Sequence, residues 1–152
     1  MRLKLEHRIG IQAPAEAVWA LVADVDRWPQ WSGLYSAAKG VVRIGEKHEV
    51  VVNLLGHKPV RVTSTVVDWV PNEQLHLEIR MLGGLMRSVR YFEIEHLTAT
   101  ACIFANGEMF GGLIGPAIAR RLRRPIREGF RSMGEAAKAL AEKDYAPELP
   151  LG

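Results

Sequence analysis

Three side chains could carry chemistry in this sequence: Arg90, His7 and Glu108. In the segment MRSVRYFEIEH (86–96), Glu93 and Glu95 suit water, so strand alternation turns Ser88, Arg90, Phe92 and Ile94 to the opposite, inward face. A guanidinium there needs a partner. A ligand carboxylate, phenolate or enolate would serve, as would a protein carboxylate; an Arg near a strand end could instead reach solvent or Glu108. His7 has the inward parity of residues 3–12, where Leu3, Leu5, His7, Ile9 and Ile11 alternate with Lys4, Glu6, Arg8, Gly10 and Gln12. A lone inward histidine is either hydrogen-bonded and structural or a proton carrier. Glu108 shares its parity with Phe104, Asn106 and Phe110, and the other parity of that strand is small and apolar, so either set could point inward. Ser64 and Asn53 could add a hydroxyl or an amide, although 48–56 carries apolar residues on both faces.

The apolar side chains around these groups suggest a pocket. Trp28 and Trp31, three apart, share one face of a helical turn. They either staple short helices to a sheet or line a cavity mouth, with Tyr35 at the rim. Val52, Leu54, Leu77, Ile79 and Met81 would line the pocket from the strands, together with Phe92 and Phe110. Ile126, Phe130 and Met133 would line it from the final helix.

Other chemistries lack their residues. The five histidines are scattered over separate strands and turns, so no metal site is expected. No Gly-x-Ser-x-Gly, phosphate loop or dinucleotide fingerprint occurs, and the expectation is no cofactor. Cys102, the single cysteine, excludes an internal disulfide and reads as a core thiol.

The elements that must hold these groups follow from periodicity and turn residues. After the strand 3–12, Pro14 opens a short helix with Val18, Leu21 and Val22 inward, and 26–31 forms a second short helix or turn. Residues 33–39 read as a loop. Strands are predicted at 40–45, 47–56, 58–70, 74–82, 86–96 and 98–110, separated by Gly45, Gly56 with Pro59, Pro71-Asn72 and Gly83-Gly84. With no helix between them they suit an antiparallel meander. From Pro116 to Glu142, Ile118, Leu122, Ile126, Phe130, Met133, Ala137 and Leu140 draw one apolar helical stripe, with a kink or break expected at Pro125. One helix covers a six- or seven-stranded sheet only if the sheet curls around it. The expected domain is 1–145, with a fraying tail at 146–152.

Charge is local. The 20 Lys and Arg exceed the 17 Asp and Glu by three, and five arginines lie between 120 and 127. Arg120, Arg124, Arg127 and Arg131 fall opposite the apolar stripe. That face is either a solvated exterior or a contact for an anionic membrane or acidic partner. No aromatic residues interleave with these arginines, which argues against nucleic acid. No apolar run reaches membrane-span length, and the N-terminus lacks the apolar core of a signal peptide, so a cytoplasmic protein, monomer or homodimer, is expected.

The stretch IQAPAEAVWALVADVDRWPQWS (11–32) resembles the opening of the START/SRPBCC superfamily, the birch-pollen-allergen-like helix-grip proteins, in its polyketide cyclase/dehydrase-like branch. The pattern is a Pro-led helix ending in Asp and followed by a Trp-x-x-Trp-like segment. Gly107-Glu-Met-Phe-Gly-Gly112 and the helix ending at Leu140-Ala-Glu142 resemble its C-terminal half. The resemblance implies an α+β helix-grip fold with a curved antiparallel sheet around the last helix. It also implies a small hydrophobic ligand: a lipid, an isoprenoid or an aromatic polyketide-like molecule. Members include carriers and aromatase/cyclases, so both a binding protein and an enzyme of the cyclase or dehydratase type are consistent with it. For the enzyme, Arg90 would stabilise an anion and His7 or Glu108 would carry the proton.

Overall fold

A computed structural model describes residues 2–145; the expected tail at 146–152 lies outside the described residues. The N-terminal alternation forms β1 (Leu3–Ile11), followed by α1 (Ala15–Ala23) and α2 (Trp28–Trp31). The chain continues through β2 (Tyr35–Lys39), β3 (Lys47–Val52), β4 (Val60–Val70), β5 (Gln74–Met81), β6 (Met86–Thr98) and β7 (Ala101–Gly111). Two helices close it, α3 (Gly115–Arg121) and α4 (Arg123–Asp144). The seven strands make one antiparallel sheet in the order β1-β7-β6-β5-β4-β3-β2. Irregular register near Tyr35, Val66 and His96 marks bulges, which add twist and bend a sheet. The result is a half-barrel curled around α4, the helix-grip architecture. No helix among the described residues is long and apolar enough to cross a membrane.

Two local expectations are corrected. The 33–39 segment is largely strand, and 40–45 is not. Asp26 accepts the Gly40 N–H through Oδ1 (3.0 Å), and the Val41 carbonyl lies 2.8 Å from His48 Nε2. Gly40 also packs so tightly on the His48 ring that a Cβ there would sit 2.2 Å from Cδ2. These contacts hold 40–45 as a turn over His48 and leave the more polar 35–39 to pair with β3.

The helix breaks at Leu122 (φ −103°, ψ 17°), three residues before the proline. Pro125 has no N–H for the Arg121 carbonyl four residues back, and its ring crowds that carbonyl. Helix α3 therefore ends at Arg121, while Pro125 sits in the first turn of α4, where it is tolerated.

Helix α4 lies closest to β1, and glycine makes that approach possible. A Cβ at Gly134 would fall 2.6 Å from His7 Nδ1, and one at Gly129 would fall 2.6 Å from a Leu34 methyl. The outer face has its own close approach. Gly107 in β7 is flanked by Glu6 and Tyr91, whose hydroxyl donates to the Glu6 carboxylate across it. A Cβ at Gly107 would meet that hydroxyl at 2.4 Å and the Leu5 carbonyl at 2.5 Å. Because one obstacle is backbone, Gly107→Ala is expected to lower stability by about 1–3 kcal/mol, the usual range for overpacking. Urea unfolding with an unchanged m-value checks this; an unchanged midpoint would contradict the packing described.

Candidate ligand cavity

Between the concave sheet and the α3–α4 pair lies a cavity of about 490 Å³, within the roughly 300–1,000 Å³ range of small-molecule sites. Its walls come from alternating strand positions: Val50, Val52 and Leu54 from β3 and its turn, Val62 and Ser64 from β4, and Leu77, Ile79 and Met81 from β5. Arg90 and Met86 face it from β6, and Glu108 and Phe110 from β7. Ile118, Leu122, Ile126 and Phe130 cover it from the helices, and Trp28, Leu34 and Tyr35 complete the enclosure. The lining residues His57, Lys58, Val60 and Leu82 are exposed and mark where it opens.

Arg90 is the central polar group. It is 4% exposed, and its guanidinium lies between the Phe92 and Phe130 rings, 4.3 and 4.2 Å from their centroids. Nε donates to Tyr35 Oη (3.0 Å), and Nη1 donates to the carbonyls of Gly107 (3.0 Å) and Tyr91 (3.3 Å). Nη2 donates to Asn106 Oδ1 (3.0 Å) and Met133 Sδ (3.5 Å). All five N–H groups thus have acceptors, and every acceptor is neutral. No ion pair joins Arg90 to Glu108 among the described residues. Asn106 is fixed in turn, because its Nδ2 donates to the Phe130 carbonyl (3.1 Å).

Two neighbours of this cation bear on chemistry. The Tyr35 hydroxyl accepts from Arg90 and donates to no acceptor among the described residues, so its hydrogen is available at the cavity wall. Burial pushes its pKa up, and Arg90 only partly offsets this. Burial also raises the Glu108 carboxyl above the usual carboxylate range, against the opposing pull of the Ser88 hydroxyl and Arg90. An acid whose pKa burial raises and a phenol backed by a cation therefore share one apolar space.

Most of the expected lining residues face the cavity, while Trp31, Phe92, Met133, His7 and Asn53 do not. Trp28 does line the cavity, but at 1% exposure it is wall, with Nε1 donating to the Val22 carbonyl and its ring against Tyr35 and Phe92. Trp31 lies outside the lining, since its turn of α2 leaves it half-buried against the core edge. Phe92 and Met133 are also outside: both lie behind Arg90, one as ring platform and the other as sulfur acceptor. His7 does point toward α4, yet Gly134 lets the helix close over it beyond the cavity's reach. Burial lowers its pKa, with Glu135 pulling the other way and Arg131 adding to the lowering. Asn53 is likewise outside the lining; its backbone N–H instead bonds the Leu34 carbonyl. Asn106, the anchor that orients Arg90, was legible only as a residue sharing parity with Phe104.

The family model described as polyketide cyclase / dehydrase and lipid transport matches residues 2–138, and the chain belongs to that family. Solved structures of like fold include the Zhui aromatase/cyclase from Streptomyces sp. R1128, 18% identical over 94% of this chain and 95% of that one (TM-score 0.75). A START superfamily protein from Mycobacterium smegmatis is 16% identical over 92% and 97% of the two chains (TM-score 0.72). Norcoclaurine synthase from Thalictrum flavum, solved with dopamine and hydroxybenzaldehyde, is 12% identical over 94% and 88% (TM-score 0.70). At these identities the likeness is one of fold. A search of curated proteins returns no match.

Two substitutions test the site's electrostatics. Arg90→Lys keeps the charge but offers three donors to five acceptors, and is expected to cost about 1–3 kcal/mol in urea unfolding. Glu108 works in the other direction. An unfolded Glu releases its proton near 4.5, whereas the folded protein holds it to higher pH. The associated stability is therefore complete below 4.5 and is lost as pH rises through the folded value. Glu108→Gln is expected to be more stable than wild type at about pH 8, with the difference gone at about pH 4. A difference that grows toward acid would contradict the assignment.

Proposed function

We propose that this member of the polyketide cyclase/dehydrase and lipid transport family holds a small, uncharged, largely apolar molecule in the cavity, with one ligand oxygen accepting from the Tyr35 hydroxyl. A lipid, an isoprenoid and an aromatic polyketide-like compound all meet this description. The observation that carries the reading is the full set of neutral acceptors around Arg90. A ligand carboxylate would have to displace a protein partner to reach the cation, and it would share the apolar space with the Glu108 carboxyl. Affinity comes mainly from apolar burial, roughly 25 cal/mol per Å², and the polar pair sets orientation.

A second reading uses the same space for a cyclase, aromatase or dehydratase reaction. It is supported by Glu108, an acid of raised pKa in the same cavity as a phenol backed by Arg90. Glu108 would move the proton, while Tyr35 and Arg90 would stabilise an enolate oxygen by electrostatics. His7 drops out as proton carrier because it lies outside the cavity.

Fluorescence titration with 2-naphthol and 2-naphthoate, which share a ring system and differ in charge, tests the binding proposal. The naphthol is expected to bind saturably and more tightly than the anion. Tyr35→Phe should weaken it about two- to tenfold, one hydrogen bond's worth, and Leu77→Trp should abolish binding by filling the cavity. Preference for the naphthoate, or binding untouched by Leu77→Trp, would refute it. Turnover of a poly-β-ketone that survives Glu108→Gln unchanged would end the enzyme reading.

A further inference from the structure

Three segments surround the cavity opening: the β3–β4 turn at 53–60, the β5–β6 turn at 81–86, and the hinge with α3 and the start of α4 at 111–127. They sit together physically. The Ile114 N–H donates to the Leu85 carbonyl (3.1 Å), joining the second segment to the third. Leu55 of the first shares a surface groove with Arg123, Arg124 and Arg127 of the third; the groove also carries Glu6 and Glu128, which are paired with Lys4 and Arg131.

Two properties set this rim apart. It exposes large apolar side chains, with Leu113 at 83%, Leu55 at 81% and Leu82 at 60%. It also contains none of the chain's 17 Asp and Glu but holds Lys58 and all five arginines between 120 and 127. Arg123, Arg124 and Arg127 make no ion pair among the described residues. Arg131 differs: Glu128 and Glu135 hold it on the helix surface, which removes it from the cationic face. Leucines exposed beside unpaired arginines do not suit water alone. Arginines alone would fit any polyanion, whereas protruding leucines need an apolar phase to enter.

We propose that this rim docks on an anionic membrane surface. The leucines enter the headgroup boundary, and Arg123, Arg124 and Arg127 meet lipid phosphates. Docking there would turn the cavity opening toward the bilayer, and it does not depend on which ligand the cavity takes.

Vesicle flotation of the whole protein tests this, using phosphatidylcholine with and without phosphatidylglycerol at low and high salt. Wild type is expected to float only with the anionic lipid, and less so as salt rises. The triple variant Arg123→Glu/Arg124→Glu/Arg127→Glu should lose at least about a hundredfold in affinity, given about fivefold per basic residue. Leu55→Ser/Leu113→Ser should also weaken binding. All five positions are exposed, and naphthol titration of each variant shows whether the cavity is intact. No flotation, equal flotation without phosphatidylglycerol, or either variant behaving as wild type would overturn the proposal. Equally tight capture on polyglutamate beads by wild type and the leucine variant would overturn it too, and would point to an acidic macromolecule.

Discussion

A guanidinium inside an apolar core needs an acceptor for each N–H, and Arg90 finds five without a carboxylate among them. The acceptors come from β2, β6, β7 and α4, so one side chain ties both halves of the sheet to the gripping helix. Asn106 reinforces the tie by accepting from Arg90 and donating to the helix backbone at Phe130. The two phenylalanine rings that sandwich the cation supply the favourable faces a neutral acceptor set lacks. The position of α4 over the sheet, and with it the hollow between them, depends on this node.

The node also sets what the cavity can recognise. With its donors occupied, Arg90 acts on the interior through Tyr35, whose hydroxyl it holds and whose hydrogen it leaves available. Glu108 stands in the same space without an ion pair to Arg90 among the described residues, and burial raises its pKa. The interior is thus polar at one wall and mostly apolar elsewhere. Charge collects instead at the rim, on the arginines flanking the helix break. Pro125 joins the two regions: by ending α3 at Arg121 it places Leu122 over the cavity, between the arginine pairs at 120–121 and 123–124.

Much of this was legible in the residue pattern. Alternation in β1 and β6 fixed which side chains turn inward, and the long apolar stripe required a sheet to receive it. Lining residues such as Leu77 and Ile79 matched strand alternation, whereas Phe110 lay on one of two parities that the sequence of β7 left open. What parity could not give was depth. His7 points inward as strand alternation requires and Met133 as the helical stripe requires, but α4 lies directly against one and Arg90 against the other. Whether an inward residue meets a hollow or a neighbour depends on where the helix rests, and glycines at 129 and 134 decide that. The strand at 35–39 was hidden for a different reason. Its pairing depends on Asp26 and His48 holding the next segment away, and those contacts are remote in sequence.

The most direct test is a crystal structure of the protein with 2-naphthol bound. The account predicts the naphthol oxygen within hydrogen-bonding distance of Tyr35 Oη, with Arg90 still donating to Gly107, Tyr91 and Asn106. A naphthol oxygen seated on the guanidinium in place of Asn106 or Gly107 would contradict it, as would electron density for the ligand only outside the curled sheet.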